Sequence, residues 1–104
     1  MTRPPTYRNL PEAIRAGVFV GAVLPRAYLS NAYLAGANLG GSDLTGANLT
    51  NADLRGVCLA GADLTDADLT GAKVNEWTLL PDDCGWRVPQ RGTSGTRTVE
   101  RVTT

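Results

Sequence analysis

The run from Ala27 to Glu76, cut every five residues, reads AYLSN, AYLAG, ANLGG, SDLTG, ANLTN, ADLRG, VCLAG, ADLTD, ADLTG and AKVNE. The third position is Leu in nine of these ten cycles and Val in the last. Ala, Ser or Val stands two places before it, and Asn or Asp stands one place before it in six cycles. A repeat this regular has to be explained before anything else in the chain.

A five-residue period fits neither regular element. On an α-helix each step turns the chain about 100°, so five steps leave successive leucines roughly 140° apart. Leu29, Leu34, Leu39 and Leu44 would then spiral around the cylinder without a common face. On a straight strand an odd period sends successive leucines to opposite faces. A chain that corners once per repeat removes the conflict. With about a quarter turn per repeat, four repeats close a coil with every leucine inward, and the next coil stacks about 4.8 Å below through backbone hydrogen bonds. The glycines at 36, 40, 41, 46, 56, 61 and 71 weigh against an Ala/Leu-rich helix, since each would cost about 1 kcal/mol in a helix interior.

The quoted run resembles the pentapeptide-repeat family, whose repeat reads A-(D/N)-L-x-x. The resemblance implies an all-β fold, a right-handed four-sided β-helix whose interior is filled by the central residue and the residue two places before it. Carried outward, the register adds centres at Leu24, Phe19 and Ile14 upstream and Leu79 downstream. The resemblance thus covers about residues 12–81, or about three and a half coils of four five-residue sides. The expected organisation is an N-terminal arm with a short helical cap over 1–16, the β-helix over 17–81, and a tail over 82–104 that serves as a cap or hairpin.

Positions one coil apart should stack. The expected interior columns are Leu24/Leu44/Leu64, Leu29/Leu49/Leu69, Leu34/Leu54/Val74 and Phe19/Leu39/Leu59/Leu79. Each buried leucine contributes roughly 1.5–3 kcal/mol relative to exposure. Pro25 falls on a corner, where its fixed φ is an asset. Trp77 breaks the small-residue rule beneath Ala37 and Val57, and so is expected to mark the lower end. Upstream, Asn9-Leu-Pro-Glu12 has the form of a helix start, with Asn9 as cap, Pro11 in the first turn and Gly17 as stop. A first pentapeptide centred on Ile14 competes with that helix, and both readings stay open. Downstream, Trp86 is placed to fold over the lower end, with 86–88 pairing with 97–102 across a Gly-containing loop. An unstructured tail is the competing expectation.

The 104 residues suit one domain, and ten basic side chains balance ten acidic ones. Arg3 and Arg8 make residues 1–11 basic, while 12–81 carry seven acids against four bases and 82–104 three acids against four arginines. That distribution has neither the basic footprint of a nucleic-acid binder nor a polyacidic tail. Gly17–Leu24 is apolar but only eight residues long, and obeys the five-residue register, so it reads as a first coil rather than a signal peptide. Cys58 and Cys84 do not resemble a disulfide framework, and the expectation is a cytoplasmic protein without a membrane segment.

No catalytic constellation is visible. The chain has no histidine; its serines lack an activating base, no Gly-rich phosphate motif is followed by Lys, and two cysteines make no convincing metal site. The reading is non-enzymatic, with no cofactor. Two surfaces stand out as sites for a protein partner. Asp43, Asp63, Asp66 and Asp68 gather along one edge of the expected coil. Tyr28 and Tyr33 occupy outward slots on the early coils, as exposed aromatics suited to protein contacts. A third expectation is a homodimer through the lower end, with Trp77, Leu79 and Leu80 at the contact.

The family resemblance also brings an activity, since some members are acidic, DNA-shaped rods that bind DNA gyrase and other type II topoisomerases, inhibiting or protecting them. Here the coils rise only about 17 Å, roughly half a turn of duplex. A small, rigid protein-interaction module is therefore expected first, and topoisomerase-directed DNA mimicry second.

Overall fold

The computed structural model describes residues 14, 20–89 and 95–102. From Val20 to Leu80 the chain is a coil that corners once per repeat. Outward residues bridge in parallel to the residue twenty positions on: Val23 to Asp43, Tyr28 to Asn48, Tyr33 to Asp53, Asn38 to Cys58, and on down to Asp63, Asp68 and Lys73. Four repeats per coil follow directly from that spacing.

The corners explain the spacer residues. The residue two places after each centre has a positive φ at Arg26, Asn31, Gly36, Gly41, Gly46, Asn51, Gly56, Gly61, Asp66 and Gly71. A turn with a left-handed second corner residue is type II, which favours Gly or Asn there and Pro just before it. Pro25 holds that earlier place. The turn closes with a bond such as Ala27 N–H to Leu24 C=O (3.2 Å) or Ala47 N–H to Leu44 C=O (2.9 Å).

The side chains sort as the period requires. Leu29, Leu34, Leu39, Leu44, Leu49, Leu54, Leu59, Leu64 and Leu69 are all buried, with Ala37, Ala47, Ala52, Val57 and Ala72 between them. Ser42 takes one small interior slot and keeps its hydroxyl satisfied by donating to the Leu39 carbonyl at 2.6 Å. Ile14 is helical and fully buried, and joins the core. The expectations for Asn9, Pro11, Glu12, Gly17 and Phe19 lie outside the described residues.

At the last side the register departs from expectation. Cys58 bridges to Leu79, not Thr78, and Leu59 N–H donates to the Leu79 carbonyl at 2.7 Å. Leu79 is therefore outward and 55% exposed, and does not continue the Leu39/Leu59 column. Thr78 enters the small interior slot under Val57, while Trp77 stands out at 69% exposure instead of closing the core. The cause is local. A normal corner would need Glu76 left-handed and the Trp77 indole inside a slot that elsewhere holds Ala, Ser or Val. The turn instead moves one residue on and closes through Thr78 N–H to Asn75 C=O (3.0 Å). The Thr78 hydroxyl donates to the Leu54 carbonyl at 2.7 Å, and the Asn75 amide oxygen accepts from Gly56 N–H at 3.0 Å.

The lower end is closed by the tail. Strand β1 (Lys73–Val74) pairs antiparallel with β3 (Arg97–Thr98), and β2 (Trp86–Arg87) pairs antiparallel with β4 (Glu100–Arg101). Trp86 and Val99 are buried beneath the last coil, and the Arg101 guanidinium lies 5.1 Å from the Trp86 ring centroid. Among the described residues no helix is long and apolar enough to cross a membrane.

Candidate interaction surfaces

The outward slot has a backbone task. Within a repeat the five N–H groups go to different partners: Ser42 to Leu39, Asp43 up to Ala22, Leu44 down to Asp63 and Gly46 down to Thr65. The N–H one place after the centre has no backbone acceptor, and the outward Asp or Asn supplies one. Thr45, Thr50, Thr65 and Thr70 donate backbone N–H to Asp43, Asn48, Asp63 and Asp68 at 3.0, 3.1, 3.0 and 3.0 Å. Each threonine hydroxyl donates to the same oxygen at 2.5–2.7 Å. These are Asx turns, which is why the sequence favours D-L-T and N-L-T. Val23 needs no acceptor oxygen, since the residue two places on is Pro25, which has no N–H.

The four carboxylates of the expected edge divide between two sides and a corner. Asp43 stacks on Asp63 along one side, Asp66 turns the following corner with φ of 60°, and Asp68 lies beneath Asn48 on the next side. The Thr65 hydroxyl and N–H, with the Thr45 hydroxyl from the coil above, hold the Asp63 carboxyl below its ordinary value. Thr70 does the same for Asp68, helped by the charge of Arg101. Asp53 is different: Arg55 binds both its oxygens, at 2.8 and 2.6 Å, lowering its pKa and cancelling its charge. Sequence reasoning missed Asp82 and Asp83, which the chain brings back beneath Asp63 after Pro81.

Tyr28 and Tyr33 stand on successive sides, above Asn48 and Asp53, at 77% and 51% exposure. They do not share a side. With Val23, 71% exposed, they place an apolar group on three consecutive sides of one coil. Trp77, Leu79 and Leu80 are close in sequence but face differently: Trp77 and Leu79 outward, Leu80 half-buried against the core.

The family model for pentapeptide repeats matches residues 18–51, 27–66 and 47–76, in eight copies. The chain belongs to the pentapeptide-repeat family. Its members form right-handed quadrilateral β-helices and are generally structural or binding proteins. The chain is also similar to a pentapeptide repeat protein (Rfr23) from the cyanobacterium Cyanothece 51142, whose crystal structure shares 40% sequence identity at a TM-score of 0.59. The match covers 60% of this chain and 42% of that one, so this pentapeptide-repeat chain corresponds to less than half of its neighbour's length. No curated protein matches it. Among the described residues no group of His, Cys, Asp or Glu is placed to hold a metal ion.

Proposed function

We propose that this pentapeptide-repeat chain is a non-enzymatic protein-interaction module that presents Tyr28 and Tyr33 to a protein partner. One observation carries the reading: at both positions the repeat gives up the capping Asn or Asp, and the replacing ring is exposed. The fold gains neither a cap nor core burial from these tyrosines, while protein interfaces favour Tyr. The rigid coil presents them without loop-ordering cost.

A second reading, DNA mimicry directed at a type II topoisomerase, draws support from the stacking of Asp43 on Asp63 with Asp66 and Asp68 alongside. It ranks second because the fold already explains three of those carboxylates as caps. The test compares two variants. Tyr28→Ala with Tyr33→Ala should abolish capture of the native partner, and Asn at positions 43, 63, 66 and 68 should leave it intact. In a gyrase supercoiling assay the wild-type chain should have no effect at micromolar concentration. Salt-sensitive inhibition that disappears in the four-Asn variant would reverse the order of the two readings.

A further inference from the structure

Among the described residues, two adjacent sides of the lowest coil keep unpaired edge groups, and the side of Ala62–Asp66 borders a groove. In the coil above, the Ser42 carbonyl accepts from Asp63 N–H, Leu44 N–H donates to Asp63, and Gly46 N–H donates to Thr65. One coil lower the equivalent groups are the Ala62 carbonyl and the N–H groups of Leu64 and Asp66. Among the described residues, none of the three is hydrogen-bonded. Below them runs an open groove of about 450 Å³, walled by residues 62–65 above and 81–85 below. A row of unpaired backbone groups beside an open groove is a template for an added strand.

The molecule already uses this mode on the opposite side of the coil. There β3 adds antiparallel to β1, and Val99 N–H donates to the Ala72 carbonyl, the counterpart of Ala62, at 2.9 Å. The added segment, Arg97-Thr98-Val99-Glu100-Arg101, is β-branched and net basic.

Charge selects the occupant. Asp63, Asp82 and Asp83 line the groove, Asp66 follows at its end, all four are exposed, and no basic residue lines it. The same edge of a second copy would bring the same carboxylates against these, which disfavours self-pairing. We propose that this groove binds an extended, basic segment of another polypeptide, added as a strand to Ala62–Asp66 with its Lys or Arg side chains reaching the four aspartates. This surface is distinct from Tyr28 and Tyr33, and the inference stands independently of the function proposed for them.

The probe is a synthetic heptapeptide, Thr-Arg-Thr-Val-Lys-Arg-Val, titrated into the full chain while amide hydrogen exchange is followed by NMR. Binding should slow exchange at Leu64 and Asp66 about tenfold or more, by pairing their N–H groups. Combined Asp63→Asn, Asp66→Asn, Asp82→Asn and Asp83→Asn, which keeps the Thr65 cap and suits the left-handed corners, should weaken affinity about tenfold or more. On the wild-type chain, a peptide N-methylated at its central Val should fail to bind, whatever the variant does to folding. Tyr28→Ala with Tyr33→Ala should bind the peptide normally. The proposal is overturned by no binding, by binding without slowed exchange at Leu64 and Asp66, or by equal binding of a peptide with Glu at its basic positions. Slowed exchange that depends on protein concentration without peptide would also overturn it, because a second copy would then cover the edge.

Discussion

Cys58 faces Leu79 across the last coil contact, twenty-one residues on, where the other outward residues of the coil face the residue twenty ahead. That single extra residue is held by Thr78, whose hydroxyl bonds the Leu54 carbonyl and also accepts from Asn75 N–H at 3.1 Å. Thr78→Val should therefore cost about 1–3 kcal/mol despite its matched shape, because it strands buried polar groups. Trp77→Ala, at an exposed corner, should stay within about 0.5 kcal/mol. Urea midpoints of the two variants check the pair.

The repeat itself was legible from the leucines alone, because only a cornering chain brings a five-residue period to one axis. The slip at the end was not. Its signals were Glu76, in a place held by Gly, Asn or Asp in nine of the ten cycles from Ala27 to Glu76, and an indole in a slot for Ala. The indole alone reads as the lower end rather than as a one-residue shift, and Glu76 raises no expectation of its own. The acidic residues were placed correctly on the outside, but their backbone role was invisible until the N–H groups were accounted for. Asp82 and Asp83 escaped notice because their position depends on how the chain leaves the coil.

Packing in the middle of the core should be sensitive to volume. Leu49→Ala should cost about 2–5 kcal/mol, since it leaves a void between Leu29 and Leu69. Thr50→Ala should cost about 1 kcal/mol, because the Thr50 hydroxyl bonds Asn48 at 2.7 Å and Ser30 at 2.9 Å. Thermal or urea unfolding distinguishes the two.

The left-handed corners should respond in opposite directions. Arg26 holds φ of 61° without the freedom of glycine, so Arg26→Gly should stabilise the coil by about 1 kcal/mol. Gly71→Ala should cost more than Gly36→Ala, because the Asn51 side chain must move aside. Its φ is 75°, and a new Cβ would lie 2.2 Å from the Asn51 amide oxygen, whereas nothing lies within 4 Å at Gly36. Midpoint shifts for Gly71→Ala and Gly36→Ala should differ in that order.

Acid should loosen the fold through its carboxylates. Asp53, Asp63, Asp68 and Glu76 all sit below their ordinary values, held by bonds from Arg55, Thr65, Thr70 and Gly95 N–H respectively. Stability from groups lowered on folding is complete above the unfolded carboxylate value of about 4, and is lost as pH falls through the folded values. Urea midpoints should fall between about pH 5 and about pH 2, with a shallower slope in Asp63→Asn with Asp68→Asn.

Amide hydrogen exchange of the unmodified chain tests the coil and its open edge together. Leu44, Gly46, Leu49 and Asn51 donate to the coil below, whereas Leu64, Asp66, Leu69 and Gly71 have no acceptor among the described residues. The account predicts that the first four amides exchange at least about a hundredfold more slowly than the second four. Equal protection of the two sets, or faster exchange at Leu44 and Leu49 than at Leu64 and Leu69, would contradict it.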